Sequence, residues 1–344
     1  MRNQKVYIII VNYNNWKDTI ECLESVLKIK YEDYQIIVVD NDSPNNSMEY
    51  ITNWAEGKQE VIYNEKSQLK HLSQPFELKP LEYLYYTKEE AISGGDREKE
   101  SLYKKPLIFI QAGENCGFAA GNNIGIKYAI AKDDFKYLCL INNDTVVEHD
   151  FLSLVVKKMQ QNESIGICGS KINYYSDPRL IWSNGGTFNK MTSQTKHIDY
   201  LQFDEDQKPN CRITFLTGCL WLIKKEIMQT IGLLNESYFM YVEDLEYSYK
   251  AQKSGYRLDV EPKSKIYHKV GSTSDGEISE FSAYWMMKNR IKFIMTNLDN
   301  FHKITSICFI IITRILRFTE WIFKGHINIV KAQFNGLCSG IIKK

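Results

Sequence analysis

The chain has no C-x-x-C pair, no G-x-G-x-x-G or P-loop glycine signature, no charge-free apolar stretch long enough to cross a bilayer, and a formal net charge of only +1. Each absence removes a class of protein. The eight cysteines follow no zinc-like spacing, and Cys22, Cys139, Cys168 and Cys219 lie in apolar segments, where a thiol behaves as a small hydrophobe. A reduced, cytoplasmic setting is expected. Without either glycine signature, hydride transfer and NTP hydrolysis lose support. The apolar run Val6-Tyr7-Ile8-Ile9-Ile10-Val11 is ended by Asn12-Tyr13-Asn14-Asn15; it is too short for a signal-peptide core and reads as a strand. The near-zero charge hides a division, because from Phe281 onward ten Lys/Arg face two Asp/Glu. A mildly acidic body with a basic tail argues against a nucleic-acid binder built around the main domain.

What is present is an alternation. At 344 residues the chain can bury one substantial core and a smaller appendage. Strand-like runs at 6–11, 35–39, 107–110, 137–141 and 165–168 are separated by helical patterns at 16–28, from Ser47, at 118–131 and from His149. This predicts a mainly parallel sheet covered on both faces. Residues 57–106, rich in Lys, Glu, Ser and Gln, break the rhythm and read as an insertion between the second and third strands. After residue 170 the pattern is less regular, with a strand-like stretch at 213–223 and a helix at 224–231, so antiparallel strands beside the parallel sheet fit.

Two strands end in acidic and amide side chains. Tyr137-Leu138-Cys139-Leu140-Ile141 runs into Asn142-Asn143-Asp144-Thr145, and Ile36-Ile37-Val38-Val39 into Asp40-Asn41-Asp42. Ligands of open α/β sheets bind beyond such strand ends. Asp144 is the leading metal-ligand candidate, since Mg²⁺ or Mn²⁺ needs one or two protein carboxylates when phosphates and water supply the rest; the alternative is a turn or helix cap. Asp40 and Asp42 suit a ribose or base, or a local Asx-turn. The stretch Gly113-Glu114-Asn115-Cys116-Gly117-Phe118-Ala119-Ala120-Gly121-Asn122-Asn123 opens a helix with glycines that admit a ligand. Glu243-Asp244, flanked by aromatics, is a general-base candidate or an acid-rich helix start. His268 stands alone in Tyr267-His268-Lys269.

In order, these motifs resemble glycosyltransferase family 2, the inverting sugar-nucleotide enzymes of GT-A fold, and most of all its bacterial rhamnosyltransferase-like branch. The matching residues are Val11-Asn12-Tyr13-Asn14, Val39-Asp40-Asn41-Asp42-Ser43, Asn115 to Asn123, Asn142-Asn143-Asp144-Thr145, Thr217-Gly218-Cys219, Glu243-Asp244 and His268. The resemblance implies a Rossmann-like α/β/α sandwich over 1–275, with 57–106 inserted, and a helical tail over 276–344. It assigns Asn12, Asp40, Asp42, Asn115, Gly117, Phe118, Asn122, Asn142 and Asn143 to the nucleotide-sugar donor. Asp144 and His268 are assigned to Mn²⁺ or Mg²⁺, Asp244 to the base with Glu243 as its acidic partner, and Thr217 and Gly218 to the acceptor side. Asn143 replaces a more usual proline, Glu246 an aspartate and Lys250 an arginine.

The implied reaction moves a sugar from a UDP-sugar or dTDP-rhamnose to a hydroxyl of a glycan or polyprenyl-linked acceptor in cell-surface polysaccharide synthesis. A catalytically silent assembly subunit and a nucleotidyltransferase are the alternatives; the second would want a basic phosphate loop where Asn12-Tyr13-Asn14-Asn15 stands. In the tail, Tyr284, Met287, Ile291, Ile294 and Leu298 share a helical face, and 304–323 is aliphatic but carries Arg314, Arg317 and Glu320. A basic amphipathic helix on the anionic inner face of the cell membrane fits this pattern. Helices packed on the body, or on a second subunit in a homo-oligomer, fit it also.

Overall fold

The computed structural model describes residues 4–270 and 279–341. The domain boundary expected at 275/276 lies outside them. Strand β1 (Val6–Asn12) sends Val6, Ile8 and Ile10 into one core and Tyr7 and Ile9 into another. Full burial of one such isoleucine contributes roughly 1.5–3 kcal/mol. On the first face, α1 (Trp16–Val26) adds Ile20, Leu23 and Val26, and α2 (Ser47–Ala55), after β2 (Tyr34–Asp40), adds Met48, Ile51 and Trp54.

Residues 57–106 are more than an insertion. They hold α3 (Lys70–Ser73), β3 (Tyr83–Thr87), α4 (Lys88–Ile92) and α5 (Arg97–Ser101), and β3 pairs in parallel with β4 (Leu107–Gln111) as the edge of the main sheet. Helix α6 (Gly117–Lys132) covers the second face with Ala119, Ile124 and Tyr128. The chain then returns beside β1 as β5 (Tyr137–Asn142), followed by β6 (Thr145–Val147) and α7 (Phe151–Gln161).

The irregular half comprises β7 (Ile165–Tyr174), β8 (Ile181–Ser183), a hairpin of β9 (Gly186–Asn189) and β10 (Gln194–His197), and β11 (Leu220–Lys224). The expected strand at 213–223 is confined to its second half. Helix α8 (Lys225–Ile231), a 3-10 turn at Glu236–Tyr238, α9 (Glu243–Lys253) and β12 (Arg257–His268) complete the body. The strand order is β3-β4-β2-β1-β5-β11-β7-β12-β6, with β8 paired to β7. Strand β11 runs antiparallel between β5 and β7, which themselves share the direction of β1, and β6 and β8 also run against that direction. The result is the expected mixed, mainly parallel sheet between helical layers.

Register sets the site. Asn12 faces Asp40, Asp40 faces Gln111, and Val11 faces Asn142, so the ends of β1, β2, β4 and β5 form one rim. The order reverses between β1 and β5, where open α/β sheets place their crevice.

The C-terminal helices are α10 (Glu280–Asn297), α11 (Asn300–Phe323) and α12 (Ile327–Ile341). Met287, Ile291, Ile294 and Leu298 pack with Phe215, Tyr238 and Leu245 of the body. Helix α12 lies along α10 so closely that a Cβ on Gly336 would fall 2.5 Å from the Tyr284 carbonyl oxygen. Ser306 and Arg290 donate to the carbonyls of Lys190 and Thr192, tying α11 and α10 to the β9–β10 hairpin. No helix among the described residues is long and apolar enough to cross a membrane.

Candidate functional site

The donor-side residues gather where β1, β2, β4 and α6 meet. Asp40 Oδ1 accepts from Asn12 Nδ2 at 2.6 Å and Ser43 Oγ at 2.6 Å, and its Oδ2 accepts from Ser43 N at 2.9 Å. The Asx-type turn considered from sequence therefore exists. Gln111 Nε2, at the end of β4, lies 3.3 Å from both Asp40 Oδ2 and Asp42 Oδ1. Asn41 is buried and donates to the Gly117 carbonyl at 2.9 Å. Asn115 Oδ1 accepts from Gly117 N, and Asn122 donates to Phe118 O, shaping the start of α6. Gly117 has φ +86°, and a Cβ there would lie 2.1 Å from the Phe239 carbonyl oxygen, so only glycine fits.

Asn143 turns inward. Its amide donates to Thr19 Oγ1 at 2.9 Å and Asn12 Oδ1 at 3.3 Å, bracing the β1–α1 corner. Asn142 Oδ1 is buried without a hydrogen-bond partner, on the same turn as Asp144.

Antiparallel pairing of β6 with β12 sets His268 against Thr145. His268 Nε2 consequently lies 3.1 Å from Asp144 Oδ1, both side chains largely buried. Burial alone would raise the Asp144 carboxyl, but the His268 ring and the Lys269 ammonium outweigh it and hold it below the usual aspartate range. Lys269 is itself fixed by Asp18 and Glu21 of α1.

The second acid pair opens α9. Glu243 is buried, and burial followed by the Asp244 charge raises its carboxyl far above the ordinary range. Asp244 is partly exposed, with Oδ2 accepting from Gly218 N at 3.3 Å and Oδ1 from Leu245 N at 2.7 Å. Its carboxyl is also raised by burial, against those backbone donors. Behind it, Glu246 and Lys250 pair at 2.6 Å, so the two substituted residues of the motif complement one another.

The turn at 217–219 joins both acid groups. Gly218 N donates to Asp244, while the Cys219 carbonyl accepts from Asn142 N at 2.9 Å, two residues before Asp144. The 217–219 turn thus links the strand end that precedes Asp144 and His268's partner strand to the helix start that carries Asp244. Among the described residues no group of three or more His, Cys, Asp or Glu side chains is placed to hold a metal ion. A cavity of about 730 Å³ lined by Lys157, Arg212, Arg257 and Lys263 shares none of these residues.

The sequence presents Asn41 and Lys269 only as neighbours of Asp40 and His268, and does not single out Gln111 or Trp182, whose ring centre is 4.7 Å from that of His268. Gln111 ends a strand as the acids do, which was a usable signal. Trp182 reaches His268 only through the β7–β8 pairing.

Comparison with known proteins agrees with this geometry. The Glycosyl transferase family 2 model matches residues 7–73 and 96–232, more than half of the chain. The low-salt glycan biosynthesis hexosyltransferase Agl10 of Haloferax volcanii is 25% identical over 158 residues, covering 44% of this chain and 48% of that protein. Poly-beta-1,6-N-acetyl-D-glucosamine synthase of Staphylococcus aureus is 25% identical over 209 residues, covering 56% of this chain and 46% of the synthase. The chain therefore spans about half the length of these curated relatives. Among solved structures, GalNAc-T7 with UDP, GalNAc and Mn²⁺ superposes with TM-score 0.54 at 16% identity, over 87% of this chain and 49% of that one. The mannosyltransferase PcManGT of Pyrobaculum calidifontis with GDP-Man and Mn²⁺ gives TM-score 0.52 at 11% identity, over 98% and 86%. At such identities the structures establish the shared GT-A-like fold. The family match supplies the rest: the chain belongs to glycosyl transferase family 2.

Proposed function

We propose that the chain is an inverting hexosyltransferase. It moves a sugar from a nucleotide-diphosphate donor, a UDP-sugar or dTDP-rhamnose, to a hydroxyl of a glycan or polyprenyl-linked acceptor in cell-surface polysaccharide synthesis. The observation that carries this reading is the 217–219 turn, whose Gly218 N–H holds Asp244 and whose Cys219 carbonyl holds Asn142, two residues before Asp144.

The residues divide the work by their environments. Asp144 stays ionised, and its carboxylate, the His268 ring nitrogen and the orphaned Asn142 Oδ1 offer an O, N, O donor set suited to Mn²⁺ or Mg²⁺. A bound divalent ion would supply Lewis-acid stabilisation to the departing diphosphate. Asp144 and His268 would be its stronger protein ligands, and donor phosphates and water would have to supply the remainder. Asp244, a stronger base than an ordinary aspartate, takes the proton of the acceptor hydroxyl as that oxygen attacks the anomeric carbon. Gly218 N–H and Leu245 N–H fix its orientation. Burial, and then the Asp244 charge, raises the Glu243 carboxyl, which favours its neutral form and lessens repulsion beside the base. A single displacement inverts the anomeric centre. Incubating the protein with UDP-glucose, UDP-GlcNAc, GDP-mannose and dTDP-rhamnose, with and without Mn²⁺, tests the reading. Metal-dependent release of nucleoside diphosphate supports it, and neither turnover nor metal-dependent binding indicates a silent assembly subunit.

The acceptor reading extends to the tail. On α11, Ile304, Ile311, Ile312, Ile315 and Leu316 are exposed beside Arg317. An apolar stripe with adjacent cations suits the inner face of the cell membrane, each cation near an anionic leaflet contributing about 1 kcal/mol. A lipid-linked acceptor would then meet the cleft at the surface.

A further inference from the structure

Three of the five residues before Glu243 adopt a costly backbone. Phe239, Tyr241 and Val242 have φ of 50°, 69° and 73°. Left-handed conformations at non-glycine residues cost about 1–3 kcal/mol each, and a β-branched valine there is a true outlier. Such a segment persists only where its surroundings over-determine it.

One side chain does most of this. Asn289, in the middle of α10 and wholly buried, has Nδ2 within 2.5 Å of Tyr238 O, 2.8 Å of Met240 O and 3.0 Å of Tyr241 O. Three carbonyls that converge in the interior need a neutral group with two N–H donors. A lysine would bring an unpaired charge, and an aspartate would set oxygens against oxygens. Helix α10 adds two lesser holds: Lys292 Nζ donates to Ser237 O at 3.1 Å, and Trp285 stacks on Phe239 at 4.9 Å. The far side of the same segment is fixed by Phe118 N, which donates to Phe239 O at 2.7 Å, and by the Gly117 contact. The segment is thus clamped between the start of α6, on the donor side, and α10.

We infer that Asn289 is a positioning residue: it holds residues 238–242 in the shape that starts α9 at Glu243 and delivers Asp244 to Gly218. It lies beyond the residues that the family model matches. The inference rests on Asp244 as the base for its catalytic consequence, but its structural content stands apart.

The test uses the full chain with Asn289→Asp, which keeps the shape and removes the donors, and Asn289→Ser, which keeps one donor. Met286→Ala, on the exposed side of the same helix, is the control. Circular dichroism establishes which variants fold. In folded Asn289→Asp, hydrogen exchange of amides 238–245 should accelerate at least tenfold while α6 and β5 stay protected. Stabilisation by UDP or GDP with Mn²⁺ should persist. With the best donor, kcat should fall at least tenfold, the donor KM should change less than threefold, and the acid limb of the pH–rate profile should move; Asn289→Ser should be intermediate. Unchanged exchange at 238–245 in either folded Asn289 variant overturns the inference, even if the wild-type protein turns over no donor. Absence of wild-type turnover together with accelerated exchange overturns the proposed reaction and leaves the clamp. Accelerated exchange with unaltered kcat and pH profile overturns the positioning role.

Discussion

His268 Nε2 stands 3.1 Å from Asp144 Oδ1 because the last residue of β12 is paired with the first of β6. The pair sets a carboxylate oxygen beside a ring nitrogen two residues past the end of β5. Asp144→Asn should abolish the Mn²⁺-dependent part of nucleotide stabilisation, and His268→Ala should weaken it. At a hundredfold excess of ligand over Kd the lost stabilisation is about 2.7 kcal/mol. Thermal melts with UDP or GDP, with and without Mn²⁺, read this directly; an unchanged metal response in Asp144→Asn would remove the metal site from the proposal.

Replacing Asp244 by Asn should spare nucleotide binding and lower kcat by about 10²–10⁴, the usual contribution of a positioned base. The wild-type rate should rise with pH as Asp244 loses its proton, and the acid limb should lie above the ordinary aspartate range because burial raises this carboxyl. Initial rates across pH with a saturating donor measure it.

Glu243 makes an opposite demand on stability. Its carboxyl is raised on folding, so its contribution is complete in acid and is lost as pH climbs through the folded value. Glu243→Gln should therefore melt close to wild type at low pH and become relatively more stable as pH increases. A gain of 1 kcal/mol corresponds to about 2–4 °C for a domain of this order. Melts at several pH values decide it, and a difference that shrinks with rising pH would reverse the sign of the argument.

Gly336 permits the approach of α12 to α10. Gly336→Leu should force the helices apart and cost about 1–3 kcal/mol. Denaturant unfolding of the two proteins provides the comparison, and equal midpoints would show that the contact is slack.

Ile312 and Leu316 are 61% and 67% exposed on α11. The double change Ile312→Glu and Leu316→Glu should reduce flotation with vesicles containing anionic phospholipid by at least tenfold without altering nucleotide binding. Equal flotation of mutant and wild type would leave the exposed face to another partner.

Much of the parallel half was legible because its strands are buried on both faces and read as plain apolar runs. Strands β1, β2, β4 and β5 begin and end within a residue or so of expectation. Strand β3 escaped because an edge strand needs less apolar surface: Tyr83, Leu84 and Tyr86 alternate with little periodic contrast inside a polar segment. Strand β12 was masked by Pro262, which sits where its pairing with β7 shifts register between Glu261 and Lys265. The run at 213–223 looked continuous, yet Thr217-Gly218-Cys219 turns the chain before β11 begins. At the site, Asp144, His268 and Asp244 announced themselves by residue type and order. Asn143 and Asn142 are both expected on the donor side, and only the fold shows the Asn143 amide facing Thr19. Asn289 carried no signal, since its partners are carbonyls about fifty residues earlier and backbone oxygens have no sequence.

Strand β11 runs against its neighbours, so its leading end reaches the rim where β5 finishes. Two peptide groups of one short turn there reach both acid-bearing segments: Gly218 offers its hydrogen to Asp244, and the Cys219 carbonyl receives one from Asn142. With glycine-selective ¹⁵N labelling, the Gly218 resonance becomes a resident titration probe. Its shift follows the charge on the carboxylate it touches, and its response to nucleotide reports whether occupancy beside one segment is felt at the other.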